Sequence, residues 1–401
     1  MRGSTPFRAR SSSDTETECV SLNFTVVSPF IAAISSRLYV KLFTCTHCGQ
    51  VLYFENSQCE KCHYSLGFEA TQLQLRPLVA EPDGHSYRIY NEPTSCTYTY
   101  CQNHEHHACN WLVPADSATP FCLACDLNRT IPDLSQPGFL QRWQDIEVAK
   151  HRLVYSLLCL HLPVVSKRVY PDEGLQFDFK ADESPEQRVM TGHDNGLITI
   201  NIAEADAIER EQARQSMHEL YRTLLGHFRH EVGHYYWDRL IADSPNLEEF
   251  RQLFGDDRQD YGEALKKHYA QGAPPDWQQH FISSYATSHP WEDWAETWAH
   301  YLHIIDTLQT GHAYGLRLEP LEELSEQGLR AAIQDPYQVA DFGQIMAMWL
   351  PLTFALNSLN RSMGQSDPYP FIISPDVQRK LAFIHKVAGN RVGLASREGV
   401  A

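Results

Sequence analysis

Hydrophobic and polar positions recur with two different periods along this chain. Thr71-Gln-Leu-Gln-Leu-Arg76 alternates at every second residue, which predicts a strand with one buried face. Gly196-Leu-Ile-Thr-Ile-Asn-Ile202 does the same, with Ile198, Ile200 and Ile202 on one side and Leu197, Thr199 and Asn201 on the other. Helical spacing takes over elsewhere. Trp143, Ile146, Val148, Leu153 and Leu157 predict a helix from Phe139 to Leu160. Leu224, Leu225, Phe228, Val232 and Tyr235 predict another over about 219–240, and a further one is expected near 258–270. Pro290 to His303 reads as a helix that opens on a proline, with Glu292 and Asp293 in its first turn. Its tryptophans, Trp291, Trp294 and Trp298, and Leu302 are expected on faces away from the ionisable stripe. The C-terminal third reads as helical, broken at Pro336, Pro351 and Pro368-x-Pro370. Short strands and turns fill 163–203, Pro82-Asp-Gly84 is a turn, and Ile131 to Gly138 is a linker. The expected fold class is α+β, strand-rich at the front and mostly helical behind.

The predicted helix over 219–240 carries His230-Glu231-Val232-Gly233-His234, an HExxH motif. Residues four apart stack on one helix face, so two imidazoles can meet one metal ion. Glu231 is placed to act as general base on a water held there. Gly233 costs about 1 kcal/mol of helix propensity, tolerable where something must approach the backbone closely. The bland alternative is a core helix whose histidines are satisfied by ordinary hydrogen bonds.

A catalytic zinc takes three protein ligands and keeps one position open. On the Pro290 helix, Glu292, Glu296, His300 and His303 fall on one stripe. Glu292 is assigned as the third ligand. Glu296, one turn on, is assigned as a carboxylate accepting the free N–H of a ligand histidine. The reverse order of these two glutamates stays open, and His300 is a weaker candidate for either role.

Two cysteine groups precede this region. Cys45-Thr-His-Cys48 and Cys59-Glu-Lys-Cys62 form a CxxC–CxxC pair, the spacing of a four-thiolate structural zinc site. Gly49 suits the tight turn after the first pair. A second set is Cys101, Cys109, Cys122 and Cys125, with Cys96, His104, His106 and His107 as substitutes for the first two. Buried thiols beside a solvated histidine loop are the alternative. Cys19 and Cys159 read as outside both sets, and Cys159 as a small apolar core residue.

These residues resemble known groups. HEVGH followed 58 residues later by Glu292-x-x-x-Glu296 resembles the gluzincin metallopeptidases. The segment Ser284 to Glu296 is similar in layout to the lethal-factor type, which places a tyrosine seven residues before the ligand glutamate. Tyr285 matches that tyrosine, and the resemblance implies that it stabilises an oxyanion. Lys41-Leu-Phe-x-Cys45, Cys109-Asn-Trp-Leu-Val-Pro114, Leu127 to Asp133, His227 to Trp237 and Pro290 to Tyr301 together resemble a bacterial family of zinc-binding metallopeptidases with an N-terminal zinc ribbon. The resemblance covers about residue 41 to beyond 300. It implies zinc-ribbon module(s) followed by a mostly helical zincin-like domain, and names no substrate.

Composition narrows the classes. The net charge is −17, and residues 41–130 are acidic too, with 5 Lys/Arg against 9 Asp/Glu. Broad phosphate-backbone binding needs a basic face, so no nucleic-acid partner is expected. No apolar run reaches membrane-spanning length, so no membrane association is expected. Residues 1–40 read as disordered or as a non-native extension, with Val40 as the expected start, read from a GUG codon. CxxC pairs without a convincing signal peptide point to the cytoplasm. The expected organisation is 1–40 extension, 41–130 zinc-ribbon region with two cysteine sites, and 131–401 zincin-like domain. The expected activity is hydrolysis of a protein or peptide substrate, with one catalytic Zn2+ and one or two structural ones. A ribbon-bound protein partner is also expected. An edge strand at Leu197 to Ile202 is one candidate substrate cradle; an ordinary sheet strand is the other. The competing class is a catalytically silent zinc-binding interaction protein.

Overall fold

A computed structural model describes residues 42–93, 96–184, 186–216, 222–321 and 328–389 of the 401-residue chain. The expectations for residues 1–40, including Val40 and Cys19, lie outside these.

The front of the chain is built from small antiparallel sheets. Strands β1 (Leu42–Thr44) and β2 (Val51–Tyr53) form a hairpin in which Leu42 faces Tyr53. Strands β3 (Leu66–Glu69), β4 (Gln74–Ala80), β5 (Tyr87–Ile89), β6 (Tyr98–Tyr100) and β7 (Leu112–Pro114) follow as a five-stranded meander. The alternation at 71–76 leads into β4, and the turn at Pro82-Asp-Gly84 closes through Gly84 N–H on Glu81 O, 3.0 Å. Gly67 lets Leu112 of β7 lie against β3, since a Cβ there would meet that side chain within 2.3 Å.

Strand β8 (Asn128–Thr130) leaves the front region and joins a second sheet. Helix α1 (Phe139–Cys159) precedes β9 (Gln176–Lys180), β10 (Gly192–Asp194) and β11 (Leu197–Asn201), and the strand order is β10-β11-β9-β8. β8 and β11 run parallel to β9, while β10 is antiparallel to β11. The alternating segment at 197–201 is therefore an interior strand, with β10 and β9 on its two sides, and not the edge strand weighed as a substrate cradle. Ile198 and Ile200 are buried beneath it. Alternation encodes a half-buried face but not the number of neighbours in the sheet.

The rest is helical: α2 (Ala207–Ser216), α3 (Leu224–Leu240), α4 (Leu247–Phe254), α5 (Tyr261–Gln271) and α6 (Pro290–Ala313). The short pair β12 (Arg317–Leu318) and β13 (Ala331–Ala332) precedes α7 (Phe342–Ser362) and α8 (Pro375–Gly389). Pro351 does not break the chain as expected: it lies inside α7, buried on the core side. Proline removes one helix hydrogen bond, and the packing of Ile345, Met348, Trp349 and Leu352 carries the helix across that gap. A continuous core runs from Phe43 to Ala388, and Trp111, Trp143, Trp294, Trp298 and Trp349 are fully buried in it. Burying a large apolar side chain contributes about 1.5–3 kcal/mol, so these five tie the strand-rich front and the helical remainder to one interior. Among the described residues no helix is long and apolar enough to cross a membrane.

Candidate metal centre

The central feature is the packing of α3 against α6. Thr223 caps α3, its hydroxyl accepting from Gly226 N–H at 3.0 Å. His289 caps α6 by accepting from Trp291 N–H at 3.1 Å, Pro290 fills the first helical position, and Glu292 and Asp293 occupy the first turn. The close approach that Gly233 allows is made by α6. A Cβ at Gly233 would stand 3.1 Å from Ala295 Cα and 3.2 Å from Trp298 Cβ. Trp294 then donates its indole N–H to Gly233 O at 2.8 Å.

This packing brings His230, His234 and Glu292 together. His230 Nε2 is 3.2 Å from His234 Nε2 and 3.0 Å from Glu292 Oε2, and His234 Nε2 is 3.5 Å from the same oxygen. Ligands about 2.0–2.1 Å from a tetrahedral zinc stand about 3.3–3.4 Å apart, so the three atoms fit one ion. His230 Nδ1 donates to Glu296 Oε1 at 2.7 Å, which leaves the Nε2 lone pair facing the other ligand atoms. Among the described residues, Glu292 Oε2 and His234 Nδ1 are buried without a hydrogen-bond partner of their own. Two ring nitrogens and a carboxylate oxygen this close together form a donor set that would hold a divalent cation.

Glu296 stands one turn beyond Glu292 and also accepts from Ser283 Oγ at 2.6 Å. Burial alone would raise its carboxyl, but the contacts to His230 and Ser283 outweigh that and lower it. His300 lies elsewhere, its Nδ1 2.9 Å from Tyr369 Oη and its ring against Phe371. Burial pushes it down to about 4. Trp291 does not pack away from the stripe: its ring lies on His234, centroids 3.9 Å apart.

Glu231 is buried in α3. Tyr285 sits in a 3-10 turn over Tyr285–Thr287, its ring 6.2 Å from that of His230. Tyr261, the first residue of α5, donates to Glu292 Oε1 at 2.6 Å. Burial first, then the Glu292 charge, raise the titration of both phenols, which keeps them as donors. Sequence reasoning missed Tyr261: it lies 31 residues before Glu292 in a segment without a motif.

The first cysteine group is also assembled. Cys45 Sγ lies 3.7 Å from Cys62 Sγ, and Cys48 Sγ 3.6 Å from Cys59 Sγ. A disulfide would need about 2.05 Å, whereas thiolates on a tetrahedral zinc stand about 3.8 Å apart. Each knuckle ends on a left-handed residue: Gly49 at φ 75° and His63 at φ 60°. Cys101, Cys109, Cys122 and Cys125 form the second group, all four buried, with Cys109 and Cys122 sulfurs 3.7 Å apart. His104, one expected substitute, instead bonds Cys109 O through Nδ1 at 2.8 Å and stacks on Tyr100. His106 packs on Trp143, and Cys159 is buried at the end of α1. Glu147 and His151 of α1 also reach this second group, with Lys150 paired to Glu147 behind them, which no spacing rule predicts.

Comparison with known proteins gives the family of the chain. Residues 42–136 match a zinc-ribbon domain, and residues 139–387 match a family described as "Putative zinc-binding metallo-peptidase". The chain is 43% identical over 346 residues to an uncharacterized protein of Mycobacterium bovis and to two of Mycobacterium tuberculosis, covering 86% of this chain and 94% of each relative. No solved structure matches it. The chain belongs to this zinc-binding metallo-peptidase family and carries an N-terminal zinc ribbon.

Proposed function

We propose that the protein is a zinc-dependent peptidase whose site is built on α3 and α6. The observation that carries this reading is the three-ligand cluster His230, His234 and Glu292, with Glu231 beside it and outside the ligand set. A closed structural zinc site takes four protein ligands, whereas a catalytic one keeps a position open. Zinc bound there supplies Lewis acidity and lowers the pKa of water to about 7.

The chain's own groups then have separate tasks. Glu231 takes a proton from the attacking water and delivers it to the leaving amine. Glu296 holds His230 in the tautomer that presents Nε2. Tyr285 donates a hydrogen bond to the oxygen that gains charge as the amide carbon becomes tetrahedral. Tyr261 holds Glu292 in position. β10 is one of the two edge strands of the second sheet, and its His193 ring lies 6.1 Å from that of His234. An extended peptide pairing with β10 would pass beside the ligand cluster.

The test is a peptide-library digest with zinc-loaded full-length protein, read by mass spectrometry, alongside Glu231→Gln. Cleavage by the wild type and none by the variant supports the assignment. No cleavage by either, with zinc shown at His230, His234 and Glu292, overturns it in favour of a silent zinc-binding interaction protein.

A further inference from the structure

The zinc-ribbon match ends at residue 136 and the peptidase-family match begins at 139, so α1 belongs to the second part of the chain. Even so, α1 closes over the second cysteine group. His151 is 4% exposed, and its Nδ1 lies 2.6 Å from Glu147 O. A carbonyl only accepts, so this nitrogen carries the hydrogen. The other ring nitrogen, Nε2, stands 3.3 Å from Cys109 Sγ, 3.6 Å from Cys125 Sγ and 4.0 Å from Cys122 Sγ.

The rest of the surroundings is equally dry. Glu147 and Lys150 are fully buried and paired at 2.9 Å, and Cys125 Sγ lies 3.6 Å from Glu147 Oε2. Lys150 also donates to Asn128, the first residue of β8. Three sulfurs accept backbone N–H groups: Cys109 from Trp111 at 3.3 Å, Cys101 from Cys122 at 3.4 Å, and Cys122 from Cys125 at 3.4 Å. Four thiolates around one divalent ion keep net negative charge, which is costly to bury without facing groups. A structural zinc takes four ligands. With four sulfurs supplying them, His151 stands outside that set and packs its Nε2 edge against three of the sulfurs.

We propose that the second cysteine metal is a lock between the two parts of the chain, closed by His151 of α1. The consequence extends to the HExxH helix. Near its C-terminal end α1 presents Ser156, whose hydroxyl donates to Asp306 Oδ1 of α6 at 2.7 Å. The other oxygen of Asp306 pairs with Arg229, the residue before His230. Filling the second cysteine site thereby holds α1, and α1 braces α3. The inference rests on metal at the thiolates and not on peptidase activity.

Hydrogen exchange of the full-length protein tests it. Zinc-loaded wild type is compared with Cys122→Ser/Cys125→Ser, which leaves the first cysteine group intact. The expected result is loss of one zinc and exchange about tenfold faster across residues 139–159 and 224–240. Unchanged exchange in 139–159 after that loss overturns the lock. His151→Phe keeps all four thiolates and a ring of similar size, so it tests the contact itself. Zinc should pass to a chelator about 10- to 100-fold faster from this variant, with His151→Asn between it and wild type. Release at the wild-type rate from His151→Phe overturns the role of His151.

Discussion

The hydroxyl of Tyr261 donates to Glu292 Oε1 across 2.6 Å, while the other oxygen of that carboxylate faces His230 and His234. One oxygen is thus tied to α5 and the other is left for a metal. Groups that orient a metal ligand are typically worth 10- to 100-fold in affinity. Tyr261→Phe removes only the hydroxyl, and its zinc affinity should fall by about tenfold or more, measured by competition with a chromogenic chelator. Affinity equal to wild type would make Tyr261 a packing residue.

The two glutamates of α6 should separate cleanly. Glu292→Ala should lose the metal at this site, because it deletes a ligand atom. Glu296→Ala should retain it about 10- to 100-fold more weakly, because it frees His230 without removing a ligand. Elemental analysis after dialysis decides this, and the reverse order would exchange the two assignments.

Glu231→Gln keeps the shape of the side chain and abolishes its basicity. Zinc content should remain that of wild type while turnover on any cleaved peptide drops by about 10²- to 10⁴-fold. Turnover that survives the change would remove Glu231 from the proton-transfer step.

Gly233→Ala should destabilise the fold. The new methyl meets Ala295 Cα at 3.1 Å and Trp298 Cβ at 3.2 Å, and backbone cannot move aside as a flexible side chain can. A cost of about 1–3 kcal/mol is expected from overpacking, partly offset by about 1 kcal/mol of helix propensity. Chemical denaturation of the zinc-loaded protein measures the difference, and equal or greater stability would show that the helices can separate freely.

Acid should weaken the entry to α3. Burial would raise the Glu204 carboxyl, but His227 and Arg222 outweigh it and hold it down to about 2, against an ordinary value of 4.5. A carboxyl lowered by folding contributes stability that is present above 4.5 and is lost as the pH falls toward 2. Glu204→Gln should therefore be less stable than wild type at neutral pH, with the gap closing below about pH 4. A gap independent of pH would assign the loss to packing.

How much of this was legible along the chain follows from the range of each interaction. His230 and His234 are set on one face by helical spacing alone, and Pro290 with Glu292 and Asp293 announces the start of α6. The CxxC pairs declare a metal knuckle for the same reason, since two of its four ligands lie within one turn. Gly233 signalled a close approach but not what approaches; that is α6, 62 residues away at Ala295. Nothing local marks Tyr261, or the reach of Glu147 and His151 into a cysteine group that precedes them. These contacts exist only because helices distant in sequence pack on a shared core. Likewise, alternation at 197–201 specified a half-buried strand, while its place between β10 and β9 depended on which strands came to pair with it. Spacing along one helix is a property of the backbone; the neighbours a side chain meets are chosen by packing.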